Sequence, residues 1–271
     1  MKKYAVFGNP IKHSLSPLIH HYFAKNLNIN LIYKPILGTL GKFEKEAEEF
    51  LQQGGSGFNI TLPFKQDAFK FSKINTESAK ITKSVNTIFL KDGVVCGANT
   101  DGVGFIRDLK INIKYDIKNK NILLVGAGGA AMGIIPSILS EYPSSLKIYN
   151  RTYEKALNLC NDFKNLGPIS IIKENYLEKE KFDLLINTTS LGINNVKFEL
   201  PRGIFNKDAI CYDLSYGKAS HSVSSWAKKN NILFYDGLGM LLEQAADSFF
   251  IWEGKKPLVT ESLRKILLEK L

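Results

Sequence analysis

Ile122-Leu123-Leu124-Val125-Gly126-Ala127-Gly128-Gly129-Ala130-Ala131 runs an apolar tetrapeptide straight into a glycine-rich turn. A short, continuously apolar run followed by such a turn fits a strand buried on both faces, as in a parallel sheet. The turn has the form G-x-G-x-x-A. Gly126 permits the tight reversal, Gly128 lets backbone approach a pyrophosphate, and Ala131 is small enough for a helix to pack on the sheet. The apolar residues 130–139 predict that helix, whose free N–H groups and positive dipole end suit phosphate. Pro136 within it predicts a kink. Gly126, Ala127, Gly128, Gly129, Ala130 and Ala131 are therefore expected to hold a dinucleotide.

The next strand, residues 146–149, ends in Asn150-Arg151-Thr152, about 20 residues beyond the fingerprint. A carboxylate near this point holds the ribose 2′-hydroxyl of NAD, whereas an Arg accommodates the 2′-phosphate of NADP. Arg151 can fork onto that phosphate and stack on adenine. Thr152 can donate a further hydrogen bond. The predicted cofactor is NADP. Asn187-Thr188-Thr189-Ser190 ends a later strand, and ligands bind beyond the carboxyl ends of parallel strands, so Thr188 is expected beside the cofactor.

Outward from this core, strand-like and helix-like segments alternate, which predicts α/β architecture. Strands are expected at residues 4–8, 31–37, 57–62, 122–125, 146–149, 184–187, 210–213 and 232–235. Pro35 places the second of these at a sheet edge. Residues 85–90 and 94–97 read as a hairpin around Lys91-Asp92-Gly93. Helices are expected at 17–27, with Ser16 as N-cap and Pro17 in the first position, and at 43–53, 104–113, 239–252 and 260–271. The predicted division is residues 1–101 plus 237–271 as an N-terminal α/β domain with C-terminal helices returning to it, and 102–236 as a Rossmann-like NADP-binding domain.

Composition excludes several classes. The 271 residues are 44% hydrophobic and 23% charged, as in globular domains. No apolar run reaches the roughly 20 residues a bilayer needs, and Asn9-Pro10 cuts short the apolar start, so a cytoplasmic protein is expected. Cys96, Cys160 and Cys211 lack metal-ligand spacing and read as reduced core thiols, with no metal expected. The net charge of +10 comes from dispersed lysines with only four arginines. That pattern suits attraction of anionic ligands better than nucleic-acid readout.

Three further segments carry chemistry. Ser14 and Ser16 lie just before a helix start, a seat for a carboxylate. Asn59-Ile60-Thr61-Leu62-Pro63-Phe64-Lys65 and Asn99-Thr100-Asp101-Gly102 offer a lysine and an aspartate at two strand ends. Facing one cleft they would form an acid–base pair, such as ketone reduction requires. Met240 and Gln244 are four apart and share a helix face.

Together these segments, with Val85-Asn86-Thr87 and the run Gly237 to Ala246, resemble the shikimate dehydrogenase family over essentially the full chain. The resemblance implies NADPH-dependent interconversion of 3-dehydroshikimate and shikimate, in the pathway to chorismate and aromatic amino acids. It implies that Ser14 and Ser16 hold the substrate carboxylate. Thr61, Lys65, Asn86, Asp101 and Gln244 would surround the ring hydroxyls, with Lys65 and Asp101 as the catalytic pair. Tyr216 resembles a further substrate contact, and Gly237 and Met240 cofactor neighbours. Lys155 stands where the family often has a second Arg, keeping the charge of the phosphate clamp. A quinate/shikimate enzyme with broader substrate or NAD use is the alternative reading. The implied partner is the small-molecule substrate, without nucleic acid or membrane, and a homodimer is admitted.

Overall fold

The computed structural model describes residues 1–192 and 196–271. Two compact units emerge, Met1–Gly104 with Leu241–Lys270, and Phe105–Met240 with Leu271.

The first unit runs β1 (Lys2–Gly8), α1 (Ser16–Asn26), β2 (Leu31–Leu37), α2 (Phe43–Gln52), β3 (Gly55–Ile60), α3 (Lys65–Phe71), β4 (Ile74–Asn75), α4 (Glu77–Thr82), β5 (Thr87–Lys91), β6 (Val94–Ala98) and the start of α5 (Asp101–Arg107). Its sheet has the order β2-β1-β3-β5-β6-β4. The first three strands are parallel, and β5 and β6 form an antiparallel hairpin against β3. Lys91 pairs with Val94, and Asp92 and Gly93 both have positive φ (50° and 77°), so the hairpin closes through a two-residue turn. β2 lies at the edge, as Pro35 predicts, because a missing N–H is harmless there. One face of the sheet carries the ring cluster Phe7, Phe43, Phe58, Phe64 and Phe71, all buried.

The second unit continues with a π turn (Asp108–Asn112), β7 (Asn121–Val125), α6 (Gly129–Leu139), β8 (Ser145–Tyr149), α7 (Tyr153–Phe163), β9 (Ile169–Ile171), β10 (Phe182–Asn187), β11 (Phe205–Asp213), α8 (His221–Lys229), β12 (Leu233–Tyr235) and the first residues of α9 (Leu238–Glu253). The strand order β12-β11-β10-β7-β8-β9 is wholly parallel and doubly wound about β7. Ile122, Leu123 and Leu124 are fully buried, as a strand covered on both faces requires. α6 runs through Pro136 rather than ending at it. The last helix, α10 (Glu261–Leu268), belongs to the first unit and is capped by Thr260, whose hydroxyl accepts from Leu263 N–H.

Ser16 is not the N-cap of α1. The cap is Leu15, which offers no side-chain acceptor, and Ser16 is already helical. Ser14 takes the local role instead, since its Oγ accepts from Ser16 N–H at 3.3 Å. The short elements α3, α4, β4 and β9 also lie beyond the sequence expectation. Cys96, Cys160 and Cys211 are free and buried. No helix among the described residues is long and apolar enough to cross a membrane.

Candidate active site

Unit one gathers a polar cluster beyond the carboxyl ends of its parallel strands. Thr61 N–H donates to the Phe7 carbonyl at 2.9 Å, and Asn9 N–H donates to Leu62 at 2.9 Å. The turns after β1 and β3 are thereby clasped together. Gly8 must be glycine there, since a Cβ would meet Thr61 Cγ2 at 2.4 Å. Thr61 and the Ser14–Ser16 segment are thus tied to adjacent strand ends, and Ser16 is buried.

Lys65 and Asp101 meet. Lys65 Nζ lies 2.5 Å from Asp101 Oδ2, with the Lys65 side chain 19% exposed and that of Asp101 9%. The sequence reading put both at strand ends. Each is instead the first residue of a helix, α3 and α5, because Leu62-Pro63-Phe64 and Asn99-Thr100 first turn the chain out of the sheet. Asp101 Oδ1 accepts from Asn86 Nδ2 at 2.9 Å. The same amide also reaches Thr100 Oγ1 at 2.9 Å and Gln244 Oε1 at 3.2 Å. Lys65, Asn86, Asp101 and Gln244 therefore form one connected group, with Thr61 and the two serines on neighbouring turns of the same unit.

Two positions in this network escaped the sequence reading. Asn99 Oδ1 accepts from Asp101 N–H at 3.0 Å, the local Asx pattern that an Asn two residues before a helix start announces. Thr100 Oγ1 donates to the Gln244 carbonyl at 3.1 Å, a tertiary contact with no sequence signal.

Unit two holds the nucleotide turn. Gly126 has φ +110°, and a Cβ there would lie 2.4 Å from Thr188 Oγ1. That hydroxyl donates to the Val125 carbonyl at 2.9 Å, locking the ends of β7 and β10 together where the strand order reverses. Gly128 and Gly129 have open space on their Cβ side. α6 begins here, so its first N–H groups face a cradle able to accept a pyrophosphate. Past β8, Asn150 Nδ2 donates to the Thr152 carbonyl at 2.8 Å, shaping the loop that presents Arg151 and Thr152. Arg151, Thr152 and Lys155 are exposed, and no carboxylate lies within residues 150–153. The donor set fits a dinucleotide bearing a 2′-phosphate.

At the far side of the same sheet edge, Gly237 N–H donates to Ser215 at 3.0 Å. A Cβ on Gly237 would strike the Leu214 carbonyl at 2.1 Å, so the segment carrying Tyr216 packs on the segment leading to Met240. Burial pushes the Tyr216 hydroxyl above its ordinary pKa. Asp213, at the end of β11, is fully buried. Its Oδ1 accepts from Asn187 Nδ2 (2.9 Å) and Ser215 N–H (3.0 Å), while Oδ2 has no hydrogen-bond partner among the described residues. Burial raises its pKa to about 6. The Asn187–Asp213 pair is a second feature that the sequence did not announce.

Comparison with known proteins bears on both units. Residues 6–88 match the family described as shikimate dehydrogenase substrate binding domain, 108–196 the shikimate / quinate 5-dehydrogenase family, and 237–267 the shikimate 5′-dehydrogenase C-terminal domain. The chain is 43% identical over 269 residues to the shikimate dehydrogenase (NADP(+)) of Chromobacterium violaceum, covering 98% of each chain. An Ael1 enzyme from Pseudomonas putida superposes with a TM-score of 0.89 at 37% identity, covering 98% of each chain. The shikimate 5-dehydrogenase of Thermus thermophilus, crystallised with NADP(H) and shikimate, gives 0.86 at 26% identity with full coverage of both chains.

Proposed function

The chain belongs to the shikimate dehydrogenase family, and on that premise we propose that it reversibly reduces 3-dehydroshikimate to shikimate with NADPH. It serves the pathway to chorismate and the aromatic amino acids. The observation that carries the reading is the Lys65–Asp101 contact at 2.5 Å, with Asn86 pinning the second carboxylate oxygen.

NADPH supplies the hydride. Ser14 and Ser16 hold the substrate carboxylate, Thr61, Asn86 and Gln244 bind ring hydroxyls, and Tyr216 is a further substrate contact. As the carbonyl carbon becomes tetrahedral, its oxygen gains charge and needs a proton. Lys65 Nζ delivers it, and in the reverse direction takes it back. Asp101 fixes where the ammonium points, which lowers the orientation cost of the step. Gly126 to Ala131 hold the pyrophosphate, and Asn150, Arg151, Thr152 and Lys155 hold the 2′-phosphate. Thr188, Gly237 and Met240 line the ribose and nicotinamide. Cytoplasmic location and a homodimeric assembly belong to the same proposal.

The test is steady-state kinetics of the purified chain in the oxidative direction, with shikimate or quinate and NADP⁺ or NAD⁺. The pair shikimate and NADP⁺ should give a kcat/KM at least about tenfold above any other combination. Equal values for quinate, or for NAD⁺, would contradict the assignment.

A further inference from the structure

α5 does not continue as the regular helix that residues 104–113 predict. After Arg107 it widens into the π turn Asp108–Asn112, with Ile113 N–H reaching the Asp108 carbonyl at 3.0 Å. Such turns are rare and often re-aim a side chain at a functional place. Here the head of the turn is Asp108, only 1% exposed. A buried carboxylate is costly unless its oxygens are satisfied. Both are used. Oδ2 accepts from the Tyr212 hydroxyl at 2.7 Å and Oδ1 from Asn112 Nδ2 at 2.8 Å.

The carboxylate also lies against the first turn of α9. A Cβ on Gly239 would come within 2.0 Å of Asp108 Oδ1, so only glycine lets the helix start this close. A negative group there complements the positive end of the helix dipole. Burial and the Asp108 carboxylate push the Tyr212 hydroxyl well above its ordinary pKa, and the nearby backbone of Met240 pulls it the other way. Asp108 therefore joins Tyr212 to the first turn of α9, next to Met240, entirely within the second unit. Leu238 N–H is held separately, by Asp236 Oδ1 at 3.2 Å.

We propose that Asp108 and Tyr212 are positioning residues that fix the first turn of α9 and so set where Met240 stands against the nicotinamide. The inference rests on the reading of Met240 as a cofactor neighbour. It assigns neither residue to the chemistry. Their effect is on the orientation of a group that must align with the reacting carbon, so it falls on turnover more than on cofactor affinity.

The chain has only three methionines, so the ¹³C-methyl resonance of Met240 can be resolved and assigned in selectively labelled protein. In the wild type, NADP⁺ should shift that resonance; no shift would remove the reading on which the inference rests, without bearing on Asp108. Tyr212→Phe should then reduce the NADP⁺-induced shift by about half or more. It should lower kcat about tenfold while KM for NADPH stays within about twofold. Asp108→Asn, which keeps an acceptor for Tyr212, should do the same more weakly and guards against a Tyr212 variant that fails to fold. Phe105→Leu removes a ring packed edge-on to Tyr212 at 5.0 Å without touching the polar chain, and should lower Tm yet leave the Met240 response intact. A wild-type response that persists, with wild-type kcat, in both Tyr212→Phe and Asp108→Asn would overturn the proposal.

Discussion

Lys65 and Asp101 are separated by 36 positions and meet through a single short contact, so the proton-transfer reading is tested at one side chain. Lys65→Ala should lower kcat by roughly 10²–10⁴-fold with shikimate still bound, since general acid–base groups contribute on that scale. Near-normal turnover would take Lys65 out of the mechanism. Arg151→Ala should raise KM for NADPH far more than KM for NADH, because only NADPH carries the 2′-phosphate; equal weakening would point to a folding or pyrophosphate defect. Asp213 gives a prediction about pH. Its folded pKa, about 6, lies above the ordinary carboxylate value of 3.8, so the folded state binds more protons than the unfolded state between these limits. Its burial therefore costs stability in full above about pH 6, and the cost fades as pH falls toward 4. Relative to wild type, Asp213→Asn should lose about 1–3 kcal/mol of advantage between pH 7 and pH 4 in urea melts. A difference independent of pH would show that Asp213 does not titrate as buried. The sequence singled out Lys65, Asp101 and Arg151 because their types and places match a chemistry, and the fold brings the first two into contact. It was silent on Asp213, Asp108 and Thr100, whose roles depend on burial and on partners distant in the chain.

Among elements, the strand–turn–helix from Asn121 to Leu139 was the most legible, because apolar run, glycines and helix each constrain the next. Strands β1, β2, β3 and the β5–β6 hairpin were legible for similar reasons. The helices α3 and α4, of seven and six residues, were not, since neither is long enough to show a clear period. Strand β4 has two residues and β9 three, and both are defined by pairing rather than by pattern. The π turn after Arg107 was equally hidden, because a helical period reads the same until backbone bonding slips by one residue. Gly126 is where an element's geometry and its function coincide. Gly126→Ala would combine φ +110° with a Cβ 2.4 Å from Thr188 Oγ1. It should weaken NADPH binding at least about tenfold in a fluorescence titration and destabilise the unit by about 1–3 kcal/mol. Unchanged affinity would mean that the turn does not approach the pyrophosphate.

For the molecule as a whole, the hairpin was legible but its partner was not: nothing in residues 85–98 announces that β5 joins β3 and makes the first sheet mixed. The net charge of +10, spread over both units, fits an enzyme whose substrate and cofactor are both anions. In the proposed reaction one unit supplies the acid–base pair and substrate seat and the other supplies the NADPH seat. The most direct measurement follows absorbance of NADPH together with product formation when purified protein meets 3-dehydroshikimate. One NADPH should be oxidised per shikimate formed, with turnover on the order of 1–10³ s⁻¹, as is typical of enzymes. No oxidation of NADPH above the rate without protein, from a folded chain that binds NADPH, would contradict the proposed reaction.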